Sequence, residues 1–391
     1  MKVSVNLLFV IMLFPIVLCA QNDEWFRKGL DAKDPKEKIE YFTKSIQLTG
    51  ESAAAYNNRG VAKNDLEDYQ GAIADFSKAI EIDPKSADEY NNRGSAKGDL
   101  KDYQGAIADF SKAIEIDPKS ADAYNNRGSA KGDLQNYQGA IADFSKAIEI
   151  DPKYTDAYVN RGKANYHLQD YLGAIADYSK AIEIDPKYID AYLNRGSAKD
   201  DLQDYQGAIA DYSKAIEVDP KSAVAYNNRG NAKGDLKDYQ GAIADYSKTI
   251  EIDPEYIYSY NNRGFIYLKL SRYDDAIADF NKAICLKSDC ISAFANLGYV
   301  YLQKGKNDLA IEVLNKCLKI NDKSFSVNMD LAIIYYRQGE LPESKLYLDI
   351  AKSLEPILNK GVDGINELEK EGYYWTKKDK KTLKKMFDGL K

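Results

Sequence analysis

For most of its length the chain alternates between two kinds of short amphipathic stretch. The first kind, such as "ADEYNNRGSAKGDL" from Ala87 to Leu100, is mainly polar, and the second, such as "YQGAIADFSKAIEID" from Tyr103 to Asp117, carries more apolar residues. In both, the apolar residues recur every three or four positions, which indicates one buried face of a helix. The pattern predicts two helices of about four turns each. Asp102 is expected to cap the second helix, and Pro118 to end it.

This pair of stretches repeats with a period of 34 residues. When the glycine of "NRG" is counted as position 8, nine units follow one another without an insertion across residues 53–356. Tyrosine usually holds position 4, glycine or alanine position 8, alanine or serine position 20, an aromatic residue or leucine position 24, and proline position 32. The units begin at Ala53, Ala87, Ala121, Thr155, Ile189, Ala223, Ile257, Ile291 and Phe325.

The repeated pattern resembles the tetratricopeptide repeat. That family has the same period and the same order of aromatic, glycine, alanine, aromatic and proline positions. The resemblance covers about four-fifths of the chain. It implies an all-α fold, a right-handed α-solenoid of helix-turn-helix repeats in which the first helices line the concave side. Stacking is needed because a single helix pair cannot bury both of its faces.

The beginning of the chain differs from the repeats. Residues 1–20 contain Lys2, an apolar run and a small-residue exit, a pattern typical of a secretory signal peptide that is cleaved after Ala20. The alternative is that Cys19 is the lipid-bearing first residue of a bacterial lipoprotein. The mature protein is therefore expected to be secreted or periplasmic, or else lipid-anchored through Cys19, and to have no transmembrane anchor.

The two segments that flank the repeats are expected to close the ends of the solenoid. Residues 21–52 predict a degenerate amino-terminal capping repeat, with Trp25 and Gly29 at positions 4 and 8. Residues 357–391 predict a carboxy-terminal capping helix and a basic terminal helix. The basic helix is either solvated or in electrostatic contact with an acidic partner or an anionic surface. Capped ends do not stack on one another, so we expect a monomer.

Charge and composition exclude several classes of function. The formal net charge is −7, whereas nucleic-acid binding needs a basic face. His167 is the single histidine, which argues against histidine-based acid–base catalysis and multi-histidine metal sites. Cys285, Cys290 and Cys317 are too few for a disulfide framework. We expect no metal, no cofactor and no nucleic-acid partner.

Arginine at position 7 and aspartate at position 23 occur together in the first seven units and are lost together in the last two. Joint loss is expected of an ion pair between the two helices of a unit, because a lone buried charge is costly. The arginine is therefore expected to be structural. The pairs are Arg59 and Asp75, Arg93 and Asp109, Arg127 and Asp143, Arg161 and Asp177, Arg195 and Asp211, Arg229 and Asp245, and Arg263 and Asp279.

Position 6 is asparagine in eight consecutive units and aspartate only at Asp330. In the tetratricopeptide family this position faces the groove, and the series is similar to the asparagine ladder of O-linked N-acetylglucosamine transferase, which holds the backbone of an extended peptide. A carboxamide can both donate to a carbonyl and accept from an amide. The alternative is that solvent or local backbone satisfies these side chains. The predicted peptide-binding residues, called the asparagine ladder below, are Asn58, Asn92, Asn126, Asn160, Asn194, Asn228, Asn262 and Asn296.

Other groove positions indicate the charge of a partner. Members of the family that clamp a terminal carboxylate carry basic residues at positions 5 and 9, where this chain has only Lys163. Position 13 instead supplies an acidic row, which suits a neutral or basic extended segment. The row consists of Asp65, Asp99, Asp133, Asp201 and Asp235.

Two functional hypotheses follow from these residues. The first is a protein-interaction scaffold of the bacterial envelope that binds extended partner segments in its groove. The second is an assembly or spacer component of an envelope complex that uses its outer surface. An enzyme is a remote third alternative, because the sequence shows no nucleophile with a base, no phosphate-binding glycine loop and no metal-spaced cluster.

Overall fold

The computed structural model describes residues 24–49, 52–370 and 373–390. All regular secondary structure in these ranges is helical, so the predicted all-α class is confirmed. The expected signal peptide and Cys19 lie outside the described residues. No helix in the described ranges is both long and apolar enough to cross a bilayer.

The chain divides into two compact units, Met1–Leu202 and Gln203–Lys391. The first contains α1 (residues 24–31), α2 (Pro35–Thr49), α3 (Ala53–Asn64), α4 (Tyr69–Ile82), α5 (Ala87–Asp99), α6 (Tyr103–Ile116), α7 (Ala121–Asp133), α8 (Tyr137–Ile150), α9 (Thr155–His167), α10 (Tyr171–Ile184) and α11 (Ile189–Asp201).

The second unit continues the same alternation and ends with shorter elements. It contains α12 (Tyr205–Val218), α13 (Ala223–Asp235), α14 (Tyr239–Ile252), α15 (Ile257–Lys269), α16 (Tyr273–Leu286), α17 (Ile291–Gln303), α18 (Asn307–Ile320), α19 (Phe325–Gln338), α20 (Leu341–Leu354), the 3₁₀ helix η1 (Pro356–Lys360), α21 (Val362–Lys370) and α22 (Lys377–Gly389).

Within each compact unit, the repeat helices that follow one another along the chain pack together, which is the helix-pair stacking of a solenoid. First helices of successive repeats also contact one another: α3 contacts α5, α5 contacts α7, and α7 contacts α9 in the first unit. In the second unit α13 contacts α15, and α15 contacts α17. The first helices therefore form one continuous layer within each unit, and this layer carries position 6.

Small residues allow the two helices of a repeat to approach closely. A Cβ atom on Gly94, at position 8, would lie 2.7 Å from Cε1 of Phe110, at position 24. The alanines of the second helix, such as Ala106, are fully buried. Gly29 makes the same approach to the ring of Phe42 across α1 and α2, with a connection three residues shorter than in the repeats.

The helix ends follow the predicted capping pattern. Oδ1 of Asp102 accepts a hydrogen bond from the backbone N–H of Gly105 at 3.0 Å, so Asp102 is the N-cap of α6. The helix ends at Ile116, before Pro118. Both expectations for this repeat are confirmed.

The turn between the two helices of a repeat uses a left-handed residue at position 15. Gln135 has a φ of 60° there, although left-handed backbone strains any residue that carries a Cβ. Repeats eight and nine have glycine at the equivalent Gly305 and Gly339. The non-glycine residues with this conformation are Glu67, Lys101, Gln135, Gln169, Gln203, Lys237 and Ser271.

Replacing Gln135 by glycine should therefore stabilise the protein. The change removes left-handed strain of about 1–2 kcal/mol and loses about 0.5–1 kcal/mol of chain entropy, which leaves a gain of up to about 1.5 kcal/mol. The control is Gln138→Gly in α8, which should destabilise by about 0.5–1 kcal/mol because its backbone is helical. Urea denaturation followed by circular dichroism measures both. Equal effects of the two variants would contradict the assignment of strain to position 15.

Candidate functional site

The arginine at position 7 and the aspartate at position 23 form a two-pronged ion pair. Nε of Arg127 donates to Oδ2 of Asp143 at 2.9 Å, and Nη2 donates to Oδ1 at 2.7 Å. The same geometry occurs in the six pairs in which both residues lie in the same compact unit. It confirms the prediction for those six pairs. These pairs begin at Arg59, Arg93, Arg127, Arg161, Arg229 and Arg263.

The same guanidinium also reaches the preceding repeat. Nη1 of Arg127 donates to Oγ of Ser111 at 3.1 Å, and the guanidinium lies 5.5 Å from the ring of Tyr124. Nζ of Lys131 approaches Oδ2 of Asp143 at 2.7 Å. The arginine therefore joins both helices of its own repeat to the second helix of the repeat before it. This is a structural role, as expected from the sequence.

A substitution borrowed from repeat eight tests this ion pair. Repeat eight has Leu297 and Val313 where the earlier repeats have arginine and aspartate. Arg127→Leu alone should cost up to about 3 kcal/mol, because it leaves the buried carboxylate of Asp143 with only one cation. The double variant Arg127→Leu with Asp143→Val should recover most of that loss, because an apolar pair of suitable size can replace a buried ion pair.

The midpoint of urea unfolding gives the free-energy difference for each variant. An undiminished stability in the single variant would show that the pair contributes little. A double variant as unstable as the single one would show that the arginine acts through Ser111 and not through Asp143.

The side chains of the asparagine ladder are half-buried on the first helices. Nδ2 of Asn92 donates to Oδ1 of Asn57 at 3.0 Å, and Nδ2 of Asn126 donates to Oδ1 of Asn91 at 3.1 Å. These bonds run from position 6 of one repeat to position 5 of the repeat before it. We call them cross-repeat amide bonds; the others are Asn160 to Asn125 and Asn296 to Asn261.

If the ladder binds a peptide backbone, the amides of Asn92, Asn126, Asn160, Asn194 and Asn228 are expected to be unpaired with their own chain. This expectation is wrong for Asn92, Asn126, Asn160 and Asn228. The reason is that position 5 carries asparagines whose Oδ1 atoms lie within hydrogen-bond distance of position 6 in the following repeat. A second asparagine in "YNNRG" is the signal that could have revealed these bonds.

The remaining ladder residues depart from this pattern for local reasons. Nδ2 of Asn58 bonds to the carbonyl of Ala54, and Asn228 accepts a hydrogen bond from Asn227. Nδ2 of Asn262 donates to Asn231, because the position 5 oxygen of Asn227 already accepts from Ser259.

Asn194 differs from the other ladder residues of the first compact unit, each of which has a hydrogen-bond partner for its side chain. Position 5 of the preceding repeat is Val159, which offers no side-chain acceptor. The side chain of Asn194 makes no hydrogen bond to any described residue. Its amide is therefore open to solvent or to a ligand.

The cross-repeat amide bonds leave capacity for a ligand. A carboxamide has two donor hydrogens and an oxygen with two lone pairs, and a cross-repeat bond uses one hydrogen of the ladder residue. Oδ1 of Asn92 makes no hydrogen bond to a described residue. One donor and one acceptor therefore remain on this side chain, which is the complement of a peptide unit.

The acidic row and a cavity lie on the same layer of first helices. Position 13 follows position 6 by two helical turns and shares its face. The row residues Asp65, Asp99 and Asp133 are exposed. A cavity of about 360 Å³ is lined by Asn160 and His167 among other residues.

A pair of alanine substitutions separates the structural part of the ladder from its free part. Asn126→Ala removes a cross-repeat amide bond and should lower stability by about 0.5–1.5 kcal/mol. Asn194→Ala removes no hydrogen bond within the described residues, so the unfolding free energy should stay within about 0.5 kcal/mol of the wild type. Thermal and urea unfolding measure both. Equal losses would show that the cross-repeat bond contributes nothing to stability.

Family comparison agrees with the geometry. The family described as "Tetratricopeptide repeat" matches residues 53–86, 121–154, 223–256 and 257–290. The family described as "TPR repeat" matches residues 98–135, 162–199, 201–237 and 298–339. Together these matches cover more than half of the chain, which belongs to the tetratricopeptide repeat family. Proteins of this family are protein-interaction scaffolds and are generally non-catalytic.

Two solved structures with TM-scores of 0.51 and 0.50 show the same fold. The APC/C hetero-tetramer Cut9–Hcn1 is 15% identical over 90% of this chain and 81% of that chain, with a TM-score of 0.51. A tetratricopeptide repeat protein from Parabacteroides merdae is 20% identical over 63% of this chain and 98% of that chain, with a TM-score of 0.50. YrrB, described as a TPR protein with an unusual peptide-binding site, is 24% identical over 47% of this chain and 95% of that chain, with a TM-score of 0.41. A comparison with curated proteins found no match.

Proposed function

We propose that the protein is a scaffold of the bacterial envelope that holds extended segments of partner proteins against its first helices through the asparagine ladder. The observation that carries this proposal is the state of the ladder amides. Several are oriented by cross-repeat amide bonds and still keep a donor and an acceptor, and Asn194 keeps its whole amide.

Oriented amides favour binding because the ligand does not have to order them. Fixing a mobile polar side chain at an interface costs about 0.5–1.5 kcal/mol, and a side chain already held by a neighbour avoids much of that cost. The ladder recurs once per repeat, so an extended backbone meets a similar pair of groups at regular intervals. Such contacts read the backbone and tolerate many side chains.

The acidic row supports a neutral or basic segment as the ligand. Asp65, Asp99, Asp133 and Asp201 are exposed on the same layer as the ladder. Acidic peptides would be repelled, and the attraction of basic ones would weaken with added salt. Secretion, through the leader at residues 1–20 or a lipid on Cys19, would bring the scaffold to the envelope.

Fluorescence polarisation with labelled peptides of neutral, basic and acidic composition tests this function. We expect affinities around micromolar at best, because each amide contact contributes about 0.5–1.5 kcal/mol before the cost of ordering the peptide. Alanine at Asn92, Asn126, Asn160 and Asn194 together should weaken binding by a factor of about 30 or more. Methylating the backbone nitrogens of the peptide should do the same to the wild-type protein, because it removes the donors.

The control variant changes the leucine at position 14 of each of the first four repeats to glutamine and should leave peptide binding intact. These leucines are Leu66, Leu100, Leu134 and Leu168. Binding that survives both the alanine changes and backbone methylation would contradict backbone recognition by the ladder. A pull-down from envelope extract, made in parallel with the wild type and the ladder variant, then identifies the partner.

The second functional hypothesis, an assembly or spacer component, has one observation in its favour. Position 14 carries a leucine that is 38–40% exposed in each of the first four repeats, next to the turn between the helices. A row of exposed apolar residues is typical of a protein contact surface. The glutamine variant distinguishes the two hypotheses, since it should abolish assembly and spare peptide binding. The residues are Leu66, Leu100, Leu134 and Leu168.

A further inference from the structure

Residues 373–375 bring aromatic side chains onto the first helices of the last repeats. The ring of Tyr374 lies 6.5 Å from that of Phe265 and 6.2 Å from that of Tyr299, both edge to face. Tyr373 and Trp375 stack on each other at 6.0 Å. These five side chains line a cavity of about 200 Å³, which we call the aromatic cavity.

A carboxylate also lines the aromatic cavity. Asp330, at position 6 of the ninth repeat, is only 6% exposed. It makes no hydrogen bond or ion pair with any residue in the described part of the chain. A buried carboxylate without a partner is stabilised either by taking up a proton or by binding a cation.

The neighbouring charges do not supply that compensation. Arg337 is the nearby cation, and its Nη2 donates to Oδ1 of the fully buried Asp379 at 2.7 Å. Asp379 also accepts hydrogen bonds from Tyr299 at 2.7 Å and Gln303 at 2.9 Å. The guanidinium of Arg337 pairs with Asp379, so Asp330 has no ion-pair partner among the described residues. Burial and the charge of Asp379 raise the pKa of Asp330 well above its usual range, while Arg337 opposes that rise.

We propose that the aromatic cavity binds an ammonium group, with Asp330 as its counter-ion and the aromatic rings as its walls. Ring faces attract cations, and the attraction increases when the site is desolvated. A divalent metal ion is a poorer match, because such ions require several oxygen ligands and Asp330 provides the one carboxylate among the cavity residues. The ammonium comes either from a lysine side chain of a partner or from a free alkylammonium. Asn296 of the asparagine ladder also lines this cavity, so the ammonium site adjoins the end of the ladder.

Trp375 provides a direct readout, because it lines the cavity and Trp25 is the other tryptophan of the chain. In the full chain with Trp25→Phe, titration with butylammonium should give a saturable change in fluorescence, whereas the neutral butan-1-ol should not. Asp330→Asn, which restores the residue of the other repeats, should weaken ammonium binding by a factor of about ten or more. Asp322→Asn, which removes an exposed charge from the same unit, should leave it unchanged.

Two lysine peptides separate the possible sources. Saturation by acetyl-Gly-Lys-Gly-amide, but not by the same peptide with Nε-acetyl-lysine, assigns the site to a lysine side chain. Saturation by butylammonium alone assigns it to a small amine. The Asp330→Asn variant should melt at or above the wild-type temperature, which controls for folding. The proposal is overturned if neither ammonium probe saturates, if butan-1-ol binds equally well, or if Asp330→Asn binds undiminished.

Discussion

The stacking of the repeats depends on the two-pronged ion pair between arginine at position 7 and aspartate at position 23, which we call the fork. The single side chain of Arg127 donates hydrogen bonds to Asp143, on the second helix of its own repeat, and to Ser111, in the repeat before it. Repeat proteins owe their stability to contacts within a repeat and between neighbours, and this guanidinium contributes to both. A planar group with several fixed donors is suited to that task, which a lysine could not perform.

The end of the second unit reaches the same stacking by another route. Where the fork is absent, Leu297, Leu331 and their neighbours belong to a continuous apolar cluster that includes α19 and α22. Earlier repeats that have the ion pair show small clusters of alanine and one aromatic residue, such as Ala106 with Phe110. Repeat seven combines both features, because it keeps the pair of Arg263 with Asp279 and its Phe280 belongs to the large cluster. An apolar interface replaces the ion pair where the chain ends and the terminal helix adds buried surface. The change from polar to apolar packing therefore coincides with the position of the terminal helix.

The sequence was sufficient for the features that recur at fixed positions in most of the repeats. The helix pairs, the cap at Asp102 and the fork all follow from residue types at fixed positions. It was insufficient where a side chain takes a partner from outside its own repeat or where the backbone is strained. The residue type of Gln135 does not indicate a left-handed backbone conformation, for which glycine would be expected. The sequence could not predict the partner of Asn92, because that partner depends on the register between repeats. It could not predict the surroundings of Asp330, because they depend on the path of the terminal segment.

The cross-repeat amide bonds also explain why a ladder of this kind would bind weakly and broadly. If a ligand had to displace the bond between Asn126 and Asn91, it would exchange one amide bond for another with little net gain. Each ladder carboxamide keeps a second hydrogen, so a peptide carbonyl can bind without breaking the existing bond. Each repeat then adds one hydrogen bond at a half-buried position. The conformational entropy that the peptide loses on binding opposes this gain. Useful affinity therefore requires several repeats in register, and that register is what the fork between arginine and aspartate maintains.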